Sequence, residues 1–136
     1  MTFLIDTNVV SELRKQDRAN AGVRAWFSNL DEKEIYLSVL TLGEIRRGIE
    51  SVSRRDPMAG SNLNAWLARI SMGFEDRIIP VDVTIAEEWG RMNVPDPLPV
   101  IDGLLAATAK IRGLTLATRN VRDIARTGID LVDPFS

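Results

Sequence analysis

The chain contains neither cysteine nor histidine among its 136 residues. The first absence excludes a disulfide framework, a thiolate nucleophile and a thiolate zinc site, and it fits a reducing compartment. The second excludes imidazole as a metal ligand or as a general acid and base. Chemistry must therefore rest on carboxylates, hydroxyls, amides, arginines, lysines and any metal they hold. No apolar run approaches the roughly 18–20 residues that span a bilayer. The opening MTFLIDTNVV lacks a basic leader and carries an acid at position 6, so it reads as a first strand of a cytoplasmic protein. Lysine is also scarce: three lysines (Lys15, Lys33, Lys110) among 17 cationic residues leave 14 arginines. With a net charge of −2, bulk charge cannot grip nucleic acid, although arginine forks suit phosphate and carboxylate partners.

What is present is a hydrophobic content of 45%, enough for one good core and too little chain for two ordinary domains. One domain over residues 1–136 is expected. Apolar, β-favouring runs predict strands at 2–5, 35–40, 78–81 and 114–117, with a weaker fifth at 130–132. Helical spacing predicts helices at 7–15, 22–30, 41–53, 62–75, 84–92 and 100–112, and about one turn at 122–126. The stretch 54–61, with Asp56, Pro57 and Gly60, reads as a loop, and the three prolines within 93–99 preclude regular helix. Alternating strands and helices imply an α/β fold with right-handed crossovers and a mostly parallel central sheet of four to five strands flanked by helices. Trp26, Trp66 and Trp89 fall on apolar helical stripes and read as core or interface.

Four acids, Asp6, Glu44, Asp102 and Asp123, each stand where a buried segment gives way to a loop or helix. In an α/β fold such junctions converge at one edge of the sheet, where distant carboxylates can meet around a cation. Unpaired like charges about 4 Å apart repel by roughly 4 kcal/mol at an effective dielectric of 20, a penalty that a divalent cation removes. Oxygen-only ligation favours Mg2+ or Mn2+ over zinc. A metal so held lowers the pKa of water, orients it toward a substrate and neutralises charge that builds on substrate oxygens, with no need of histidine.

The segments FLIDTNVVSELR, SVLTLGEIRRGI, PVIDGLLAATA and LATRNVRDI together resemble the four motif regions of PIN-domain ribonucleases, in the family's order and across nearly the whole chain. The resemblance is nearest to the VapC toxins of bacterial toxin-antitoxin pairs, in their FitB-like branch. It implies a PIN-like fold and hydrolysis of single-stranded or loop RNA by a metal-activated water. Asp6, Glu44, Asp102 and Asp123 would be catalytic and metal ligands, with Thr118 and Asn120 of the TRN loop also at the catalytic site. Thr7 and Asn8 would supply further hydroxyl or amide contacts to the metal's waters or the phosphate. Asn8, Arg46 and Arg119 are candidates for substrate binding, with Arg47, Arg54 and Arg55 as further possible phosphate contacts. The resemblance also implies a homodimer and a cognate VapB/FitA-like antitoxin whose C-terminal segment wraps the toxin. Operator DNA would be bound only through that antitoxin.

Each acid also has a purely structural explanation. Glu44 lies three residues after Thr41 and can complete a capping box, as Glu87 can with Thr84. Asp102 suits a helix N-terminus, and Asp123, three residues after Asn120, can belong to a cap. Asp6 is harder to explain so, because a carboxylate closing a buried strand is costly unless paired or bound. Asp82, Asp96, Asp130 and Asp133 match no motif and read as solvated. A haloacid-dehalogenase-type phosphotransferase would want an aspartate where Asn8 stands, and a receiver domain a lysine where Arg119 stands. A non-catalytic PIN-like module that binds RNA or protein remains as the alternative.

Overall fold

Very short apolar segments build the centre of the molecule. The computed structural model describes residues 1–136. Strands β1 (Phe3–Ile5), β2 (Ile35–Ser38), β3 (Ile78–Ile79), β4 (Thr115–Ala117) and β5 (Leu131–Val132) form one sheet in the order β3-β2-β1-β4-β5. Every pairing is parallel, with Leu4 opposite both Tyr36 and Leu116. Parallel neighbours need crossovers, and these are α1 (Thr7–Leu13), α2 (Ala21–Ser28), α3 (Val39–Arg55), α4 (Pro57–Gly73), α5 (Val83–Met92), α6 (Val100–Arg112) and α7 (Val121–Ile124). The fold is thus the single-domain α/β arrangement expected, with all five strands present. No helix is long and apolar enough to cross a membrane.

Both faces of the sheet are covered, which is why its strands read as unbroken apolar runs. Successive side chains of β1 part company: Leu4 joins Ile85, Leu105, Leu116 and Ile124 on one face, while Ile5 joins Val9, Val23, Leu37 and Ile45 on the other. Leu4, Ile5 and Leu116 are fully buried, each contributing about 1.5–3 kcal/mol of transfer free energy. Trp89 packs against the first cluster and Trp26 and Trp66 against the second. From β1 the chain proceeds outward through β2 and β3, then returns to β4 on the opposite side. The order therefore reverses at the carboxyl ends of β1 and β4, the place where an open α/β sheet forms its crevice.

Several boundaries differ from the sequence expectation. Residues 54–61 are not a loop: α3 runs to Arg55 and α4 starts at Pro57, leaving only Asp56 between them. Asp56 accepts the Ala59 N–H, and proline suits the first helical position because its missing N–H has no partner to lose. Gly60 is a close-packing residue and not a breaker, since a Cβ there would stand 1.9 Å from Ser53 Oγ. Helix α3 starts at Val39, capped by Ser38 through the Leu40 N–H at 3.0 Å, so Thr41 caps nothing and lies buried. Likewise α5 is capped by Asp82, which accepts the Ile85 N–H at 2.9 Å, and not by Thr84. The helix ending at Gly113 does stop as expected, in the left-handed conformation at φ 66° that glycine tolerates.

Candidate active site

Asp6 is the first residue past β1 and the N-cap of α1, and only 4% of its surface is exposed. Its Oδ1 accepts the Thr7 N–H at 2.6 Å, and its Oδ2 accepts the Thr118 hydroxyl at 2.7 Å and, more weakly, the Asn8 amide at 3.4 Å. Thr118 is the equivalent first residue past β4 and is fully buried. Its oxygen also accepts the Asn120 N–H at 3.0 Å, which shapes the loop after the strand. Asn8 ties that loop to α1 by accepting the Arg119 N–H at 3.2 Å. Adjacent parallel strands thus deliver an aspartate and a threonine to the same point, and local hydrogen bonds fix both.

Glu44 is on α3, and its Oε1 accepts the Thr7 hydroxyl at 2.5 Å, joining residues 37 positions apart. With Ser38 as cap, Glu44 lies in the second turn, so the capping-box explanation of this residue fails. Asp102 is half-buried in the first turn of α6, where the helix dipole favours it. Asp123 is exposed in the first turn of α7; Asn120 precedes that turn but makes no side-chain cap.

Electrostatics couples these carboxylates. Burial pushes the Asp6 pKa above its ordinary 3.8; hydrogen bonds from Thr118 and Thr7 oppose the shift, and the charges of Asp102 and Glu44 add to it. Burial likewise raises Asp102, as do the charges of Asp123 and Glu44, while the Asn120 side chain opposes the rise by hydrogen bonding to it. None of the four acids forms an ion pair with a lysine or arginine. Glu88 provides the contrast: although buried, it pairs with Lys110 at 2.7 Å and Arg91 at 3.1 Å, and these cations hold its pKa below the ordinary value.

An all-oxygen cluster with no cationic partner suits a hard divalent ion. The carboxylates do not form a closed cage, since no three acids stand close enough together to hold an ion by themselves. Mg2+ is compatible with such an arrangement, because it typically keeps several waters and takes one or two carboxylates.

The two candidate arginines lead elsewhere. Arg46 donates to Asn64 of α4 at 2.8 Å and approaches Glu50 at 4.0 Å, on a side of α3 that faces its partner helix. The Arg119 guanidinium lies 4.2 Å from the centre of the Phe135 ring. Sequence reading did not find the link between Thr7 and Glu44, which has no local signature, nor the Glu88–Lys110 pair. The only hint of the latter was an acid on the apolar side of α5, between Ile85 and Trp89.

A parallel sheet with this strand order, carrying acids near its switch point, is the arrangement of a PIN domain, and the match to a family model identifies it as one. The chain belongs to that family, whose model matches residues 3–129. It is similar to Toxin FitB of Neisseria gonorrhoeae, with 31% identity over 98% of each chain. It is 27% identical to VapC ribonuclease Y4jK of Sinorhizobium fredii, over 98% of this chain and 97% of the other. Among solved structures it resembles FitAB bound to an IR36 DNA fragment, with a TM-score of 0.88, 28% identity, and coverage of 99% of this chain and 96% of the other.

Proposed function

We propose that this chain is a divalent-metal-dependent endoribonuclease acting as the toxin of a toxin-antitoxin pair. The observation that carries the reading is Asp6: a buried carboxylate held by neutral donors, with the charges of Asp102 and Glu44 repelling it and no cation in its environment. The similarity to Toxin FitB and to a VapC ribonuclease supports the same reading. Asp6, Glu44, Asp102 and Asp123 are the residues that would hold Mg2+ or Mn2+. When bound, such an ion supplies Lewis acidity beside a phosphodiester, acidifying water and neutralising developing charge.

The chain's own residues do the rest. Thr118 orients Asp6 by donating to the oxygen that Thr7 N–H leaves free. Thr7 holds Glu44 in place. Asn8 fixes the loop that carries Arg119 and is the candidate for contact to substrate, whereas Arg119 is a weaker one, lying against the Phe135 ring. Arg46 is a weaker candidate, being engaged with α4. An antitoxin is the partner this function requires, with a homodimer as the active form and operator DNA bound through the antitoxin. The similarity to a solved FitAB complex bound to DNA supports a partner protein and DNA binding by the complex.

The test is RNA cleavage by purified protein free of antitoxin, with Mg2+, with Mn2+ and with EDTA, beside the Asp6→Asn Asp102→Asn double variant. Cleavage that requires metal and disappears in the variant is expected. Cleavage that survives both EDTA and the double substitution would refute the assignment. The absence of a closed cage favours one second reading, a non-catalytic RNA- or protein-binding module. Calorimetry separates the two, because the module would show no saturable divalent-metal binding.

A further inference from the structure

An open pocket of about 240 Å³ has Glu44 in its wall, between α3 and the start of α6. Its α3 wall is Leu40, Gly43, Glu44 and Arg47, the i, i+3, i+4, i+7 stripe of one helical face, and Ile101, the residue before Asp102, closes the other side. Apolar surface continues onto the rim, where Val39 is 39% exposed and Val100 60% exposed.

Two features distinguish this pocket from an ordinary helix junction. Gly43 lies inside a 17-residue helix, where glycine weakens the helix, yet a Cβ at this position would meet nothing within 4 Å. No steric conflict demands the glycine; its effect is to leave room. Arg47 is the second feature. Its neighbour Arg46 is engaged with Asn64 and Glu50, whereas Arg47 lines the pocket and has no side-chain hydrogen bond or ion pair. A largely apolar slot with Arg47 unpaired, and with Glu44 as its link to the proposed phosphodiester-cutting centre, matches the chemistry of an unstacked base and its phosphate.

We propose that this pocket is the subsite for one nucleobase of single-stranded RNA next to the cleaved phosphate, with Arg47 contacting that nucleotide's phosphate. The proposal rests on the ribonuclease reading and deepens it. Base-paired RNA would not enter, because its bases are stacked away from such a slot. Sequence preference at the cut would then depend on which base the walls of Val39, Leu40 and Ile101 admit.

Full-length protein, Gly43→Leu and Arg47→Gln are to be compared on a mixed-sequence single-stranded RNA in Mg2+. The readouts are kcat, KM, cleavage positions, the Mg2+ isotherm, the melting temperature and the oligomeric mass. Leucine at position 43 reaches back toward Val39 and Leu40 and fills the slot while improving helix propensity. Both variants are expected to raise KM about tenfold with kcat within about twofold of the parent. The Mg2+ isotherm and the mass should stay unchanged, neither variant should melt below the parent, and Gly43→Leu should shift the cleavage positions.

Parental KM and cleavage positions in both variants would overturn the subsite while leaving the ribonuclease reading intact. A change in oligomeric mass would overturn it in favour of an interface between copies. A parent that neither binds nor cuts RNA would overturn both readings.

Discussion

Thr118→Val keeps the outline of a fully buried side chain and removes only its hydroxyl. That hydroxyl donates to Asp6 at 2.7 Å and accepts the Asn120 N–H at 3.0 Å. A hydrogen bond to a charged group contributes about 1.5–3 kcal/mol, and leaving the Asn120 amide short of its acceptor brings the loss to roughly 2–4 kcal/mol. Over 136 residues an unfolding entropy of roughly 2.1 cal/mol/K per residue corresponds to about 3.5 °C per kcal/mol. The melting temperature should therefore fall by about 7–14 °C at pH 7 in EDTA, measured by calorimetry. The loss should shrink as the pH falls toward the ordinary aspartate value of 3.8, because a protonated Asp6 no longer needs a donor for its charge. Thr118→Ser restores the hydroxyl and should cost only about 1 kcal/mol for the lost methyl. A valine variant melting within about 3 °C of the parent, or a serine variant no better than valine, would refute the reasoning.

In metal-free protein, Asp6→Asn should flatten the pH dependence of stability. The folded pKa of Asp6 lies above 3.8, so the folded chain keeps a proton that the unfolded chain loses, and stability falls as pH rises through that interval. Urea titrations in EDTA between about pH 4 and 7 check this, and an unchanged slope would contradict it. Glu88 has the opposite sign: its folded pKa lies below 4.5, so the stability it contributes is present above that value and is lost as pH falls through the folded one. Glu88→Gln should accordingly destabilise at neutral pH, with the difference from the parent vanishing in acid. Gly60→Ala should lower the melting temperature despite alanine's better helix propensity, since overpacking against Ser53 costs about 1–3 kcal/mol; a raised melt would contradict the close approach.

The strands were legible because they are buried on both faces, and Asp6 because it directly follows such a run. The caps were less so. Ser38 and Asp82 displace Thr41 and Thr84 because each helix starts earlier than its apolar spacing suggests, and no periodicity marks a helix start that lies against the sheet. The Asp56–Pro57–Gly60 stretch carries every loop signal, yet its proline stands where a helix tolerates it and its glycine admits a neighbouring helix. At the candidate site, Asp6 was legible from the cost of burying its charge. Arg46 and Arg47 are indistinguishable by composition; only the rotation of about 100° per residue sends one toward α4 and the other to the pocket.

The position of β4 has a consequence for synthesis. β1 is made first, but its second neighbour is residues 115–117, so one edge of the central strand stays open until most of the chain exists. Thr118, which steadies the Asp6 carboxylate, comes later still. A nascent chain ending before β4 would carry Asp6 without the threonine that orients its carboxylate. Asp6 therefore acquires its orienting hydroxyl only after β4 has been made.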